Sequence, residues 1–221
     1  MALKDVLIDE LRDMYSAENQ LVKALPKLVK GAKDPQLKEG FKKHLEETKG
    51  QVVRLRQVFE SLGKKPTGKH CEGMEGVVKE GSEALEEDAD DASFDSGLIG
   101  AALRTEHYEI AGYQTCIGMA KTLGLNDVVG LLRQNLDEEV ATAKAIQALS
   151  KSIFKNATME EENDKDSKPA SQKKASEKTS EKKSKEDEKK AAPDVKKAGK
   201  PASKSAAPAV STEDSGTQSK M

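Results

Sequence analysis

Between Leu7 and Leu28 a three-four spacing runs through Leu7, Leu11, Met14, Glu18, Leu21, Leu25 and Leu28, apolar at every step but Glu18. That spacing gathers apolar groups on one face of an α-helix and scatters them over both faces of a strand, so it dictates helix. The stripe needs a partner face to bury against, and the chain supplies three more like it. Leu37, Phe41, His44/Leu45, Thr48, Val52, Leu55, Phe59 and Leu62 form the second. Leu98/Ile99, Ala102, Glu106, Glu109, Tyr113, Ile117 and Ala120 form the third. Val129, Leu132, Leu136, Glu139, Ala143, Ile146, Leu149 and Ile153 form the fourth.

The breaks between stripes carry helix-end chemistry. Asp34 is expected to cap the second helix, with Pro35 at its first position. Gly63 and Gly124 close the second and third helices, Asn126 is expected to cap the fourth, and Pro26 to kink the first near its end. About 35 residues join the second and third stripes: Pro66 to Gly73 reads as loop, Met74 to Ala89 as a shorter helix, and Asp90 to Asp95 as a turn. No segment alternates like a strand. The fold class is all-α. Four long helices with one connection long enough to cross the bundle match a ferritin-like antiparallel four-helix bundle with an extra short helix in that connection.

Composition changes sharply after Phe154. From Asn156 the only large apolar residues are Met159, Val195, Val210 and Met221, so the segment cannot offset the entropy of ordering itself. Residues 1–155 are expected to form the bundle and 156–221 a disordered Lys/Ser/Ala/Pro-rich tail. Between Lys165 and Lys204 lysines outnumber acids about two to one. The tail reads first as a solvated extension and second as a basic arm making weak, nonspecific contact with nucleic acid phosphates. Glu181, Glu186, Asp187 and Glu188 interrupt that arm. No apolar run is long enough for a membrane span, and the N-terminus turns amphipathic at once. Two cysteines, Cys71 and Cys116, are too few for a disulfide framework. A soluble, cytoplasmic protein is the expectation. Cys71, in the connecting loop, is the better candidate for redox chemistry, and Cys116 reads as a small core residue.

Four glutamates interrupt the stripes. Glu18, Glu106, Glu109 and Glu139 stand where leucine would pack, and Glu47 lies at the edge of the second stripe. Each ionised carboxylate left unpaired in a dry interior costs several kcal/mol, against a total domain stability of about 5–15 kcal/mol. Something cationic must sit among them, or most must stay protonated. Bridged metal ions answer the problem directly, and carboxylate with a little imidazole suits iron or manganese, less specifically zinc. The plainer alternative is that each glutamate reaches solvent at a boundary, or that Arg12, Arg54, Arg104 or Arg133 neutralises it.

The segments Tyr15-Ser-Ala-Glu18-Asn-Gln20, His44-Leu-Glu-Glu47-Thr-Lys-Gly-Gln51, Glu106-His-Tyr-Glu109-Ile-Ala-Gly-Tyr113 and Leu136-Asp-Glu-Glu139 resemble the YciE/YciF stress proteins. The likeness spans about residues 3 to 153 and includes Leu62-Gly63-Lys-Lys-Pro66 and Cys71-Glu-Gly-Met74-Glu-Gly76. The resemblance implies a ferritin-like bundle, a dinuclear metal site inside it and a link to stress responses, with no settled reaction. It puts forward Glu18, Glu47, Glu106, Glu109 and Glu139 as ligands to two metal ions, iron first, with manganese or zinc as alternatives. The Glu-x-x-His pairs of many di-iron bundles are missing: Gly50 and Thr142 stand where histidines would. His44, one turn before Glu47, is the imidazole that could ligate or orient a ligand. His107 points elsewhere on its helix, and His70 lies in a loop.

Three readings fit these residues: a di-metal oxidoreductase that consumes peroxide or oxygen, a protein that sequesters metal under stress, and a structural or interaction protein. A homodimer is the expected assembly.

Overall fold

The structure, a computed structural model, describes residues 1–67, 69–89 and 91–167. Five helices follow in order: α1 (Leu3–Gly31), α2 (Pro35–Ser61), α3 (Glu72–Ala84), α4 (Asp91–Thr122) and α5 (Asn126–Ser167). No strand occurs among the described residues. The long helices form a ring in which α1 packs on α2 and α4, and α5 packs on the same two. Neighbours run antiparallel: along α1 from Leu7 to Leu28, the facing residues of α4 descend from Ile117 to Leu98. The short α3 lies against α1 and α4.

The helix ends follow the expected chemistry at most positions. The Asp34 carboxylate accepts the amides of Gln36 and Leu37, and Pro35 opens α2. Gly63 and Gly124 take positive φ angles of 64° and 70°, a conformation that costs a residue with a Cβ. Pro26 stays inside α1. Asn126 is the first helical residue of α5 and not its cap.

A larger difference lies at the start of α4, where residues 91–95 are helical instead of forming a turn. Phe94 is buried there, and the buried Asp95 carboxylate turns toward the α1–α2 corner. It accepts the Lys33 amide at 2.9 and 3.2 Å and the Asp34 amide at 2.5 Å. The corner's otherwise orphaned donors are thus satisfied from across the bundle.

The core is divided in two along the bundle axis. One end holds Leu7, Leu11, Leu55, Phe59, Ile117 and Leu132. The other holds Leu37, Phe41, Leu98, Ile99, Ile146 and Ile153. A side cluster of Leu21, Leu25, Cys71 and Met74 seats α3. Each fully buried Leu, Ile or Phe contributes about 1.5–3 kcal/mol relative to exposure. Between the two apolar ends lies the polar layer described next.

α5 continues to Ser167, past residue 155 where its apolar stripe ends. Strong helix formers such as Met159, Glu160 and Glu162 carry it on, and Glu160 accepts the Ala92 amide at 3.2 Å. The lysine-rich stretch from residue 168 onward, with its expected disorder and nucleic acid contact, lies outside the described residues.

Candidate metal centre

The stripe spacing that builds each helix also aims its odd member inward. Glu18 lies one turn from Met14 and Leu21 on α1, and Glu106 and Glu109 lie between Ala102 and Tyr113 on α4. His44 lies between Phe41 and Thr48 on α2, and Glu139 one turn before Ala143 on α5. Glu18, Glu109 and Glu139 are 0% exposed, Glu106 1% and His44 2%. None of the four glutamates reaches solvent, so the boundary reading fails.

These five side chains form two groups that share one member. Oxygens of Glu18, Glu109 and Glu139 lie within 4.8 Å of one another, and so do ligand atoms of His44, Glu106 and Glu139. Glu47 stays outside both groups. It sits at the rim with 19% of its side chain exposed, paired with Lys43 at 2.7 Å and accepting from Thr142 at 3.3 Å. Its charge acts on His44, Glu106 and Glu139, which places it on the His44 side of the layer.

The donor atoms are poorly satisfied by the protein. Among the described residues, both Glu109 oxygens, one oxygen each of Glu18, Glu106 and Glu139, and both His44 nitrogens are buried without a hydrogen-bond partner. His44 Nε2 comes within 3.2 Å of Glu106 Oε1, an approach in distance without hydrogen-bond alignment. Native interiors rarely leave such groups unpaired. Hard oxygens converging with one imidazole, all lacking partners, fit a metal centre.

The electrostatics agree. Burial, aided by the neighbouring carboxylates, raises the pKa values of Glu18, Glu106 and Glu109 well above the ordinary range. Burial likewise lifts Glu139 to about 7 and depresses His44 to about 4, which leaves the imidazole neutral at neutral pH.

A surrounding polar network was not foreseen from the sequence. Tyr113 donates its phenolic proton to Glu18 and accepts from Asn135 Nδ2 at 2.8 Å. Asn135 accepts in turn from Arg54, which also bonds Glu138. Gln51 donates to Glu139, and to Glu138 at 3.1 Å. Of the four arginines considered as neutralisers, Arg54 is the one joined to this network, while Arg104 pairs with Glu80 at the surface. The detectable signal was spacing: Gln51 lies two turns beyond His44, and Asn135 one turn before Glu139. Outside the layer, a groove of about 620 Å³ lined by Glu47, Gly50, Arg54 and Glu138 runs along the rim. A mainly apolar cleft of about 340 Å³ between α2 and α5 ends at Thr142.

The other candidates lie elsewhere. His107 is exposed, and His70 bonds Glu75 at 2.9 Å on the surface. Cys71 is not a reactive loop thiol. It is buried at the start of α3, and it and the Tyr108 hydroxyl reach the Asp13 carboxylate at 2.9 and 3.1 Å. Burial and Asp13 push its pKa up, away from the thiolate. Cys116 is a buried free thiol, as its stripe position suggested. No described helix is long and apolar enough to cross a membrane.

Residues 2–159 match the family described as a domain of unknown function, DUF892. Protein YciF of Escherichia coli (strain K12) is 43% identical over 141 residues, covering 63% of this chain and 85% of that protein. The crystal structure of the E. coli stress protein YciF aligns with a TM-score of 0.68 at 39% identity, over 70% of this chain and 98% of that one. YcfI from Rhodopseudomonas palustris aligns with a TM-score of 0.65 at 43% identity, over 66% and 94%. A Xanthomonas campestris protein at 20% identity, TM-score 0.59, over 73% and 99%, shares the fold.

Proposed function

This chain belongs to the DUF892 family, and from that footing we propose that it is a ferritin-like protein holding two metal ions in its polar layer. The carrying observation is the set of buried, partnerless donor atoms on all four long helices. Glu18, Glu109 and Glu139 would hold one ion and His44, Glu106 and Glu139 the other, with Glu139 common to both. Four carboxylates carry the charge that two divalent ions neutralise, which removes the cost of burying them. Glu47, at the rim, would complete the His44 side.

Iron or manganese bound there would supply one-electron redox chemistry toward peroxide or dioxygen. The chain's own part is to hold the donors in place and keep bulk water out with the two apolar cores. Tyr113 and Gln51 fix the orientation of Glu18 and Glu139, leaving one oxygen of each free. The E. coli relative is called a stress protein, and we extend that role to this chain, as handling of peroxide or sequestration of metal.

The test is elemental analysis of protein purified without chelator, alongside Glu18→Ala and Glu106→Ala. About two iron or manganese ions per chain, lost in both variants, support the reading. No metal after reconstitution with iron, manganese and zinc would sink it. The interior glutamates would then share protons, and the protein would be an interaction module.

A further inference from the structure

The two halves of the layer are chemically unequal. One offers Glu18 and Glu109, oxygen donors only; the other offers the imidazole of His44 with Glu106; Glu139 serves both. We propose that the halves select different metals, iron at His44 and Glu106, manganese at Glu18 and Glu109. The inference rests on the two-metal reading above and adds which ion each half takes.

Donor chemistry carries it. Imidazole favours iron, whereas all-carboxylate sets suit manganese among the available ions. Both halves bind iron(II) at least as well as manganese(II), but the margin widens where a nitrogen donor is present. When the two metals compete at one equivalent each, iron therefore goes to His44 and manganese is left with the oxygen half. Glu47, at the rim beside Lys43 and Thr142, would add a carboxylate and no nitrogen, so the imidazole remains the difference between the halves.

The oxygen half is also held in place. Tyr113 takes one oxygen of Glu18, and Asn135 and Arg54 hold Tyr113 in turn. Glu109 keeps both oxygens free in full burial. No second nitrogen donor is near: His70 and His107, the remaining histidines, lie on the surface.

The experiment loads the metal-free full chain, without oxygen, with one equivalent each of iron(II) and manganese(II). Electron paramagnetic resonance then counts mixed and manganese–manganese pairs. The expected result is a mixed pair above its statistical share, with manganese–manganese pairs below theirs. In His44→Glu, which makes both halves oxygen-only, manganese–manganese pairs should rise toward that share. Statistical pairing in the wild-type protein overturns the inference while leaving the two-metal reading intact, and it needs no variant to fold. One ion per chain, or none, overturns both.

Discussion

Asn135 Nδ2 donates to the Tyr113 hydroxyl at 2.8 Å, so the phenolic proton is directed to the Glu18 carboxylate. The Asn135 oxygen is already taken by Arg54, which fixes the amide's orientation. A guanidinium at the bundle's margin is thereby connected to a carboxylate at its centre through donors that all point inward.

Tyr113→Phe removes that restraint while keeping the ring's packing. The expected loss is about 10- to 100-fold in metal affinity, with only about 1 kcal/mol of stability. Competition against a chelator of known affinity, run beside a urea melt, separates the two effects. Unchanged affinity would mean that Tyr113 serves packing alone.

Glu109 has neither oxygen satisfied and no exposure. Its replacement by Met removes an unsatisfied buried polar group and should stabilise the metal-free protein by about 1–3 kcal/mol. The same change should cut metal content. Destabilisation of the metal-free form in a urea melt would show that Glu109 has a protein partner.

The pH dependence follows from the carboxylates. Burial first, with neighbouring charge, raises Glu139 from 4.5 to about 7, so the folded metal-free protein keeps a proton that the unfolded chain releases. Stability is present below about pH 4.5 and falls as pH rises toward 7, by about 3 kcal/mol from this group alone. Glu18, Glu106 and Glu109 act in the same direction. His44, depressed from 6.5 to about 4, opposes them by costing stability as pH falls through that interval. Above about pH 6.5 the decline is unopposed. Metal binding needs ionised carboxylates and so strengthens with pH. Thermal melts should diverge, the metal-free form losing stability as pH rises and the loaded form not; parallel curves would contradict this account.

Asp95→Ala leaves the Lys33 and Asp34 amides without their acceptor. A loss of about 2–3 kcal/mol in chemical denaturation is expected, because the neighbouring Asp34 carboxylate is already taken by the Gln36 and Leu37 amides. Metal content should hold, since Asp95 belongs to neither ligand group.

The four helices were legible because their period is local: the stripe of Leu7, Leu11 and Met14 needs no knowledge of what it packs against. Glu18, Glu106, Glu109 and Glu139 were legible as violations of that period, since a charge costs too much on an apolar face to stand there without cause. The short-range signals at Asp34, Pro35, Gly63 and Gly124 were legible for the same reason. Asn135 and Gln51 were not. An uncharged amide beside a stripe reads as a boundary residue, and Leu136, the expected stripe member, is only half-buried while its neighbour Asn135 is fully buried. What buries Asn135 is the meeting of α5 with α2 and α4, which supply its partners Arg54 and Tyr113. Asp95 is a like case, its role set by amides some sixty residues away in the chain. Whether His44 or Glu47 faces the centre depended on the rotation of α2 about its axis, because both lie near the edge of one stripe. Periodicity specifies which face of a helix is buried. The rotation and pairing of helices decide which polar atoms meet there, because those contacts form between segments distant in sequence.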